Sequence, residues 1–323
     1  MLRLPGDVPP SGTLLADHLC SSDPDLVAIV LALAAAAPAI AERLAAGGLP
    51  GDPARIVSTN ESGDRQKALD LAAHEHVLDA LRHAPVRMVL SEEAEEPIRL
   101  DENALLDVAI DPIDGSGSIG TGLPLGLLFA IWPAAPEGFT RAGRSAVAAG
   151  YVSFGHSTDM GVSLGDGVTL ATLDRARNAF RVVRERVVVP RSGGLLAFNA
   201  ANVRHWPDGL RLWASEVGDG ADGPRGADAN MRWLAAAVGE LHRILLKGGT
   251  FLYPADVRPG YERGRLRLLY EAVPIAFLIE QAGGAATDGL HPILDLLPDH
   301  PHVHTSLVFG AADEVALIAR HLS

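Results

Sequence analysis

Between residues 26 and 44 the apolar positions Leu26, Val30, Leu33, Ala37, Ile40 and Leu44 recur at alternating steps of four and three. That is the seam of an amphipathic helix with one buried face. The spacing predicts a helix over 23–46 that stops at Gly47-Gly48. A polar stretch, Ser58 to Asp64, leads into a second helix running to about His83. Val86–Leu90 and Leu105–Ile110 read as short buried strands, ending in Ser91-Glu92-Glu93 and in Asp111-Pro-Ile-Asp-Gly-Ser116. Leu125–Ile131 and Ala146–Phe154 are further strands, and Met160 to about Val189 reads as antiparallel strands with turns near Gly165 and Asp174.

Pro190-Arg-Ser-Gly-Gly194 is the best boundary, separating an N-terminal region, 1–190, from a C-terminal region, 191–323. Beyond it the pattern predicts strands at Leu195–Asn199, Thr250–Tyr253 and Ser306–Phe309. Helices are predicted at Met231–Lys247, Val273–Gln281 and Asp313–Leu322, and a solvated loop at Gly218–Asn230. Helices and strands alternate in both halves, which predicts an α/β fold of layered sheets.

Composition narrows the function classes. The chain has 323 residues, 48% hydrophobic and only 5% aromatic, so its core is built mainly from Ala, Val, Leu and Ile. A net charge of -13 argues against a nucleic-acid binder or an anionic-membrane binder. The single cysteine, Cys20, excludes an intrachain disulfide and cysteine-rich zinc sites, and a cytoplasmic location is the simplest expectation. The uncharged run of sixteen residues between Asp25 and Glu42 is short for a membrane span of about 20 residues.

Acidic residues then stand at or beside element ends: Asp64 with Asp70, Glu92-Glu93, Asp111 with Asp114, and Glu271 near a helix start at Pro274. Taken singly these are ordinary features, since adjacent glutamates are usually solvated and an aspartate before a helix is often only a cap. The Asp111–Ser116 run is different. Pro112 removes a backbone donor, and two carboxylates with the intervening Ile113 carbonyl make a hard oxygen cluster suited to Mg²⁺. Gly115-Ser116-Gly117 follows, small enough to let backbone N–H groups approach an anion. One loop thus offers a metal site beside a phosphate cradle.

At this level of detail the chain resembles class I fructose-1,6-bisphosphatase. The resemblance is carried by residues 63–70, 91–93, Asp111–Ser116, Gly248-Gly-Thr-Phe-Leu-Tyr-Pro254, Leu266-Arg-Leu-Leu-Tyr-Glu271 and Glu280-Gln-Ala-Gly-Gly284, with Leu294-Asp295, His302 and Gly310. It implies a layered α/β/α/β/α fold and Mg²⁺-dependent removal of the 1-phosphate of fructose 1,6-bisphosphate. It assigns two or three Mg²⁺, with Mn²⁺ as an alternative, to Glu92, Asp111, the Ile113 carbonyl, Asp114 and Glu271, with Asp64 near a further position. Asp70 and Glu93 would orient and deprotonate the attacking water, and Asp114, Gly115, Ser116 and Gly117 would hold the reacting phosphate. Asn199, Tyr253 and Arg265 would bind the sugar and its remote phosphate. Arg232 would reach the same phosphate in a neighbouring subunit of a homotetramer.

The chain departs from the family where Gly-Ser-Ser-Asn-Ile-Asp becomes Gly115-Ser-Gly-Ser-Ile-Gly120, removing an amide, a carboxylate and a hydroxyl. Asn202, Trp233 and Arg265 replace a usual Tyr, Tyr and Lys. The metal carboxylates are all present, so phosphatase chemistry is better supported than the identity of the sugar. Sedoheptulose 1,7-bisphosphate, an inositol phosphate and a 3′-phosphoadenosine compound are the alternative substrates, and a catalytically weak metabolite-binding relative is the alternative of another class. His300, His302 and His304 alternate, but Pro301 interrupts them and a polar loop is preferred to a zinc site. Trp206, Trp213 and Trp233 read as packing residues.

Overall fold

The computed structural model describes residues 12–59 and 65–322. Among them the helices are α1 (Leu15–Leu19), α2 (Pro24–Ala45), α3 (Ala68–Arg82), α4 (Asp208–Asp219), α5 (Ala237–Lys247), α6 (Val273–Gln281) and α7 (Ala312–Leu322). Asp23 caps α2 by accepting from the Asp25 and Leu26 amides, and Pro24 stands in the first turn, where its missing N–H costs nothing. The α2 face bearing Val30, Leu33, Ala37 and Ile40 is buried, as the spacing predicts. By length and composition α2 could cross a bilayer. Instead its buried face packs on α3 and on the neighbouring sheet, which is how a core helix behaves.

Two sheets organise the chain. An eight-stranded sheet runs in the order Ala179–Arg184, Thr169–Asp174, Thr158–Ser163, Ala148–Phe154, Leu125–Pro133, Leu106–Asp114, Met88–Ser91, Ile98–Arg99. All its pairings are antiparallel except that between Met88–Ser91 and Leu106–Asp114. The five-stranded sheet has the order Asn230–Met231, Leu195–Ala197, Thr250–Tyr253, Leu307–Gly310, Ala285–Thr287.

Helices α1, α2 and α3 cover one face of the larger sheet around a core of Leu33, Val77, Val108 and Phe129. Between the sheets, α5 and α6 bury Leu241, Ile244, Ile275 and Leu278 against both. On the far face of the smaller sheet, α4 and α7 pack around Phe198, Trp206, Trp213 and Ile318. The result is the expected α/β/α/β/α stack. Trp206 and Trp213 are packing residues within it, each with its ring near Phe198.

Two local expectations are corrected, and one helix is added. The strand expected to end at Ile110 continues to Asp114 with every residue buried, so Asp111 and Asp114 lie within a strand rather than across a free turn. The physical reason is a bulge: Asp111 faces Leu128 and Asp114 faces Gly126, three steps on one strand against two on its neighbour, around a Pro112 that has no N–H to give the ladder. The helix expected from Met231 begins at Ala237. Met231 instead pairs beside Leu196 in the sheet, and Ala235 is left-handed at φ 59°, which breaks any continuous helix. Helix α4 occupies residues that carried no helix expectation, its Leu210 and Trp213 supplying the buried face.

Candidate active site

The parallel pairing of Met88–Ser91 with Leu106–Asp114 brings both carboxyl ends out on the same side of the sheet, with Ser91 facing Ile110. The chain after Ser91 stays in step, since the Glu92 amide donates to the Ile110 carbonyl at 3.2 Å. Glu92 and Glu93 therefore emerge beside Asp111 and Asp114. This location, outside the carboxyl ends of strands, is where α/β sheets commonly hold ligands.

The acids converge. Carboxylate oxygens of Asp111, Asp114 and Glu271 lie within 4.8 Å of one another, and all three residues are buried. Glu92 is hydrogen-bonded to Asp111. Glu271 is delivered from the far half of the chain by a π-helical turn, Leu268–Ala272, that leads into α6, and its carboxylate accepts from the Arg267 amide. Asp111 accepts from the Ile113 amide at 2.9 Å across the bulge, and Asp114 accepts from the Val238 amide at 2.6 Å, at the N-terminus of α5.

So many acids in one dry place resist ionisation. Burial first, then the charge of Glu93, pushes Glu92 up to about 8. Burial followed by the charges of Glu92, Asp114 and Glu271 holds Asp111 well above the usual carboxylate range. Glu271 is raised likewise, by burial and then by Glu92 and Asp114. Asp114 rises to about 6 through burial, although the amides of Val238, Gly115 and Ala237 oppose the shift. A cation entering the cluster would favour its fully anionic form.

A second group flanks it. Asp70, in the first turn of α3, accepts from the Lys67 amide at 3.2 Å through one oxygen, while its other oxygen is buried without a partner among the described residues. Burial and the charge of Glu93 raise it to about 6. The Glu93 carboxylate accepts from Gln66 at 2.8 Å. Asp70 and Glu93 thus stand close enough to oppose each other's ionisation, which is the environment a proton acceptor poised near neutrality needs.

The phosphate-type loop is built as the small residues suggest. Gly115 is left-handed at φ 83°, and a Cβ there would meet the Ala236 Cβ at 2.6 Å. Ser116–Ser118 is a 3₁₀ turn containing Gly117, and the Lys67 ammonium donates to the Ser116 carbonyl.

Farther along the chain, Tyr253 and Arg265 belong to one cluster with Arg258 and Tyr261. The guanidinium carbons of Arg258 and Arg265 lie 4.1 and 4.9 Å from the Tyr261 ring centre. Tyr253 is raised by burial and by Tyr261 against the pull of Arg265 and Arg258, and Trp233 packs edge-on against it at 6.2 Å. Asn199 turns its side-chain oxygen back to the Ala201 amide at 3.1 Å, and Arg232 is exposed. Asp64 lies outside the described residues.

Lys67, Arg258 and Arg267 stand in or beside the site without having been singled out. Lys67 and Arg267 lie inside the segments that carry the resemblance, but their reach to Ser116 and to the Glu92–Glu271 pair is tertiary. His302 is bound on both sides, by Tyr270 at 3.0 Å and by the Glu95 carbonyl at 2.9 Å, which suits a structural histidine.

Known proteins match the chain along most of its length. The fructose-1,6-bisphosphatase N-terminal domain family matches residues 16–185, and the C-terminal domain family matches residues 189–323. The fructose-1,6-bisphosphatase class 1 of Brucella anthropi is 48% identical over 91% of this chain and 87% of its own, and that of Brucella suis 47% identical over 90% and 86%. The holo form of Leishmania major fructose-1,6-bisphosphatase superposes with a TM-score of 0.90 at 27% identity, covering 97% of this chain and 99% of that one. Fold and site together define an enzyme of the phosphoric monoester hydrolase class. The chain belongs to the fructose-1,6-bisphosphatase family, class 1.

Proposed function

We infer that this chain hydrolyses fructose 1,6-bisphosphate to fructose 6-phosphate and inorganic phosphate, with Mg²⁺ as its resident cation. The observation that carries the reading is the buried convergence of Asp111, Asp114 and Glu271, joined by Glu92, beside a glycine-rich turn. The residues fit a divalent cation: they are hard oxygen donors, mutually repelling, and buried where only a cation compensates them. Two or three ions would be held by Glu92, Asp111, the Ile113 carbonyl, Asp114 and Glu271. When bound, they offset phosphoryl charge, lower the pKa of a water and stabilise the leaving oxygen.

The chain's own groups do the rest. Asp70 and Glu93 orient the attacking water and take its proton, the free oxygen of Asp70 being the acceptor available. Gly115, Ser116 and Gly117 face the reacting phosphate, with the Lys67 ammonium stiffening the turn. Tyr253, Arg265 and Asn199 bind the sugar and its second phosphate, and the guanidinium of Arg232 reaches that phosphate in a neighbouring copy of a homotetramer. Regions 1–190 and 191–323 each contribute ligands. A reducing, cytoplasmic setting suits the single exposed thiol of Cys20.

Phosphate release from a panel of sugar bisphosphates, an inositol phosphate and a 3′-phosphoadenosine compound, with Mg²⁺ and with EDTA, tests the reading. Fructose 1,6-bisphosphate should be turned over best and EDTA should abolish turnover. Asp111→Ala should lose at least about 10²-fold in kcat through loss of a metal ligand. An Asp111→Ala enzyme working at full rate would overturn the assignment.

A further inference from the structure

Helix α5 is seated on the metal strand with unusual closeness. Its N-terminus carries no side-chain cap of its own, and the Val238 amide, with that of Ala237, is satisfied by Asp114 from a distant strand. Two glycines permit the approach. Gly115 leaves room for Ala236, and Gly126 leaves room for Val238, whose methyl carbon would lie 2.5 Å from a Cβ at that position. Gly126 is also the residue that faces Asp114 across the ladder. The helix end, the strand and the carboxylate are therefore one packed unit.

One turn beyond Val238 the same helix is pinned a second time. The Tyr151 hydroxyl and His242 Nδ1 lie 2.8 Å apart, and Tyr151 is fully buried. Tyr151 stands on Ala148–Phe154, the strand next but one to the metal strand, facing Leu128 on one side and Gly161 on the other. Its ring occupies the space a side chain at position 161 would take, a Cβ there falling 2.2 Å from the ring. On the other side of the imidazole, the Asp159 carboxylate lies 3.7 Å from Nε2 and is itself held by the Ser157 and Thr172 hydroxyls. An acid facing Nε2 favours the tautomer protonated there, which leaves Nδ1 to accept the Tyr151 proton. Burial keeps the phenol in its donor form.

We propose that Tyr151 and His242 are positioning residues for Asp114, fixing the seat of α5 so that its first amides hold that carboxylate toward the cation. Neither residue is among the groups assigned to substrate, water or metal. The proposal rests on Asp114 being a metal ligand. Groups that orient metal ligands are typically worth 10–100-fold in metal affinity, and a brace one helical turn removed belongs at the lower end of that range.

The test uses the full-length protein without substrate. Mn²⁺ affinity is measured by the EPR signal of free Mn²⁺, and amide hydrogen exchange is followed across 237–241. Tyr151→Phe keeps the ring over Gly161 and deletes only the hydroxyl. Tyr151→Phe and His242→Ala should each weaken Mn²⁺ binding about 10-fold and speed exchange at the start of α5. In turnover, the Mg²⁺ concentration for half-activation should rise while KM for the sugar bisphosphate stays put. His242→Asn, whose side-chain oxygen can take the Nδ1 position, should restore most of the affinity. Folded Tyr151→Phe and His242→Ala proteins with unchanged Mn²⁺ affinity would overturn the proposal, and a fall in melting temperature alone would count against it. Asp114→Asn separates the two levels of inference: unchanged Mn²⁺ binding in that variant removes the ligand assignment itself, whereas weakened binding there with intact binding in the brace variants removes only the brace.

Discussion

Asp70 caps a helix through one oxygen and, in the proposed function, takes a proton through the other. One accepts from Lys67 and the other is buried with no partner among the described residues. Asp70→Asn keeps an oxygen for the Lys67 amide but removes the proton acceptor. It should therefore lower kcat by about 10²–10⁴-fold with little change in melting temperature, as steady-state kinetics and a thermal scan would show. Because Asp70 sits at about 6 and must be ionised to act, the rate should fall as pH drops through that value. Bound cations should move this limb to lower pH, so the apparent midpoint should depend on Mg²⁺ concentration. At this scale the sequence was highly legible: every acid that converges at the site stood in a short motif at an element end. What it hid was tertiary reach. Nothing in the local pattern tells that Lys67 touches Ser116 or that Arg267 moderates Glu92 and Glu271.

Among the elements, α5 and α7 carry buried polar interactions with opposite consequences. Gly126→Ala would drive a methyl into the Val152 carbonyl at 2.3 Å and into Val238. That overpacking should cost about 1–3 kcal/mol and also weaken activity, because the displaced helix end is the one holding Asp114. In the outer layer, Glu314 of α7 accepts from Trp213 at 2.9 Å and from both terminal nitrogens of Arg225 at 2.9 and 2.7 Å. Glu314→Ala should cost about 3–5 kcal/mol, since it strands a part-buried guanidinium, yet leave kcat intact at temperatures where the variant stays folded. Denaturant titration with parallel kinetics distinguishes the two. Element boundaries were read well where periodicity was strong, as in α2. They were misread where a bulge at Pro112 or a left-handed Ala235 decided the outcome, because neither leaves a periodic trace.

For the whole molecule, the raised acids set a pH dependence of stability. Without metal the native state holds protons on Asp70, Asp114 and Glu92 up to about 6, about 6 and about 8, above their ordinary values of 3.8, 3.8 and 4.5. Over the window from about pH 4 to 8 the folded state therefore binds more protons than the unfolded one, and stability falls as pH rises. The slope should reach up to about 1.4 kcal/mol per pH unit for each proton. Mg²⁺ binding to the native state should counter this by about 2.7 kcal/mol at a hundred times its dissociation constant. Melting curves at pH 5 and pH 8, with Mg²⁺ and with EDTA, would show the metal-free curve dropping and the gap between the two widening at the higher pH.

The cage of acids draws on both sides of Pro190: Glu92, Asp111 and Asp114 come before it and Glu271 after. The middle helical layer that seats them belongs entirely to the later segment, while the strand it clasps belongs to the earlier one. Severing the chain near residue 190 would leave two fragments, each owning part of a coordination sphere and an apolar surface meant for the other. Such fragments should recombine more readily with a divalent ion present, making the cation a fastener of the architecture as well as a reagent.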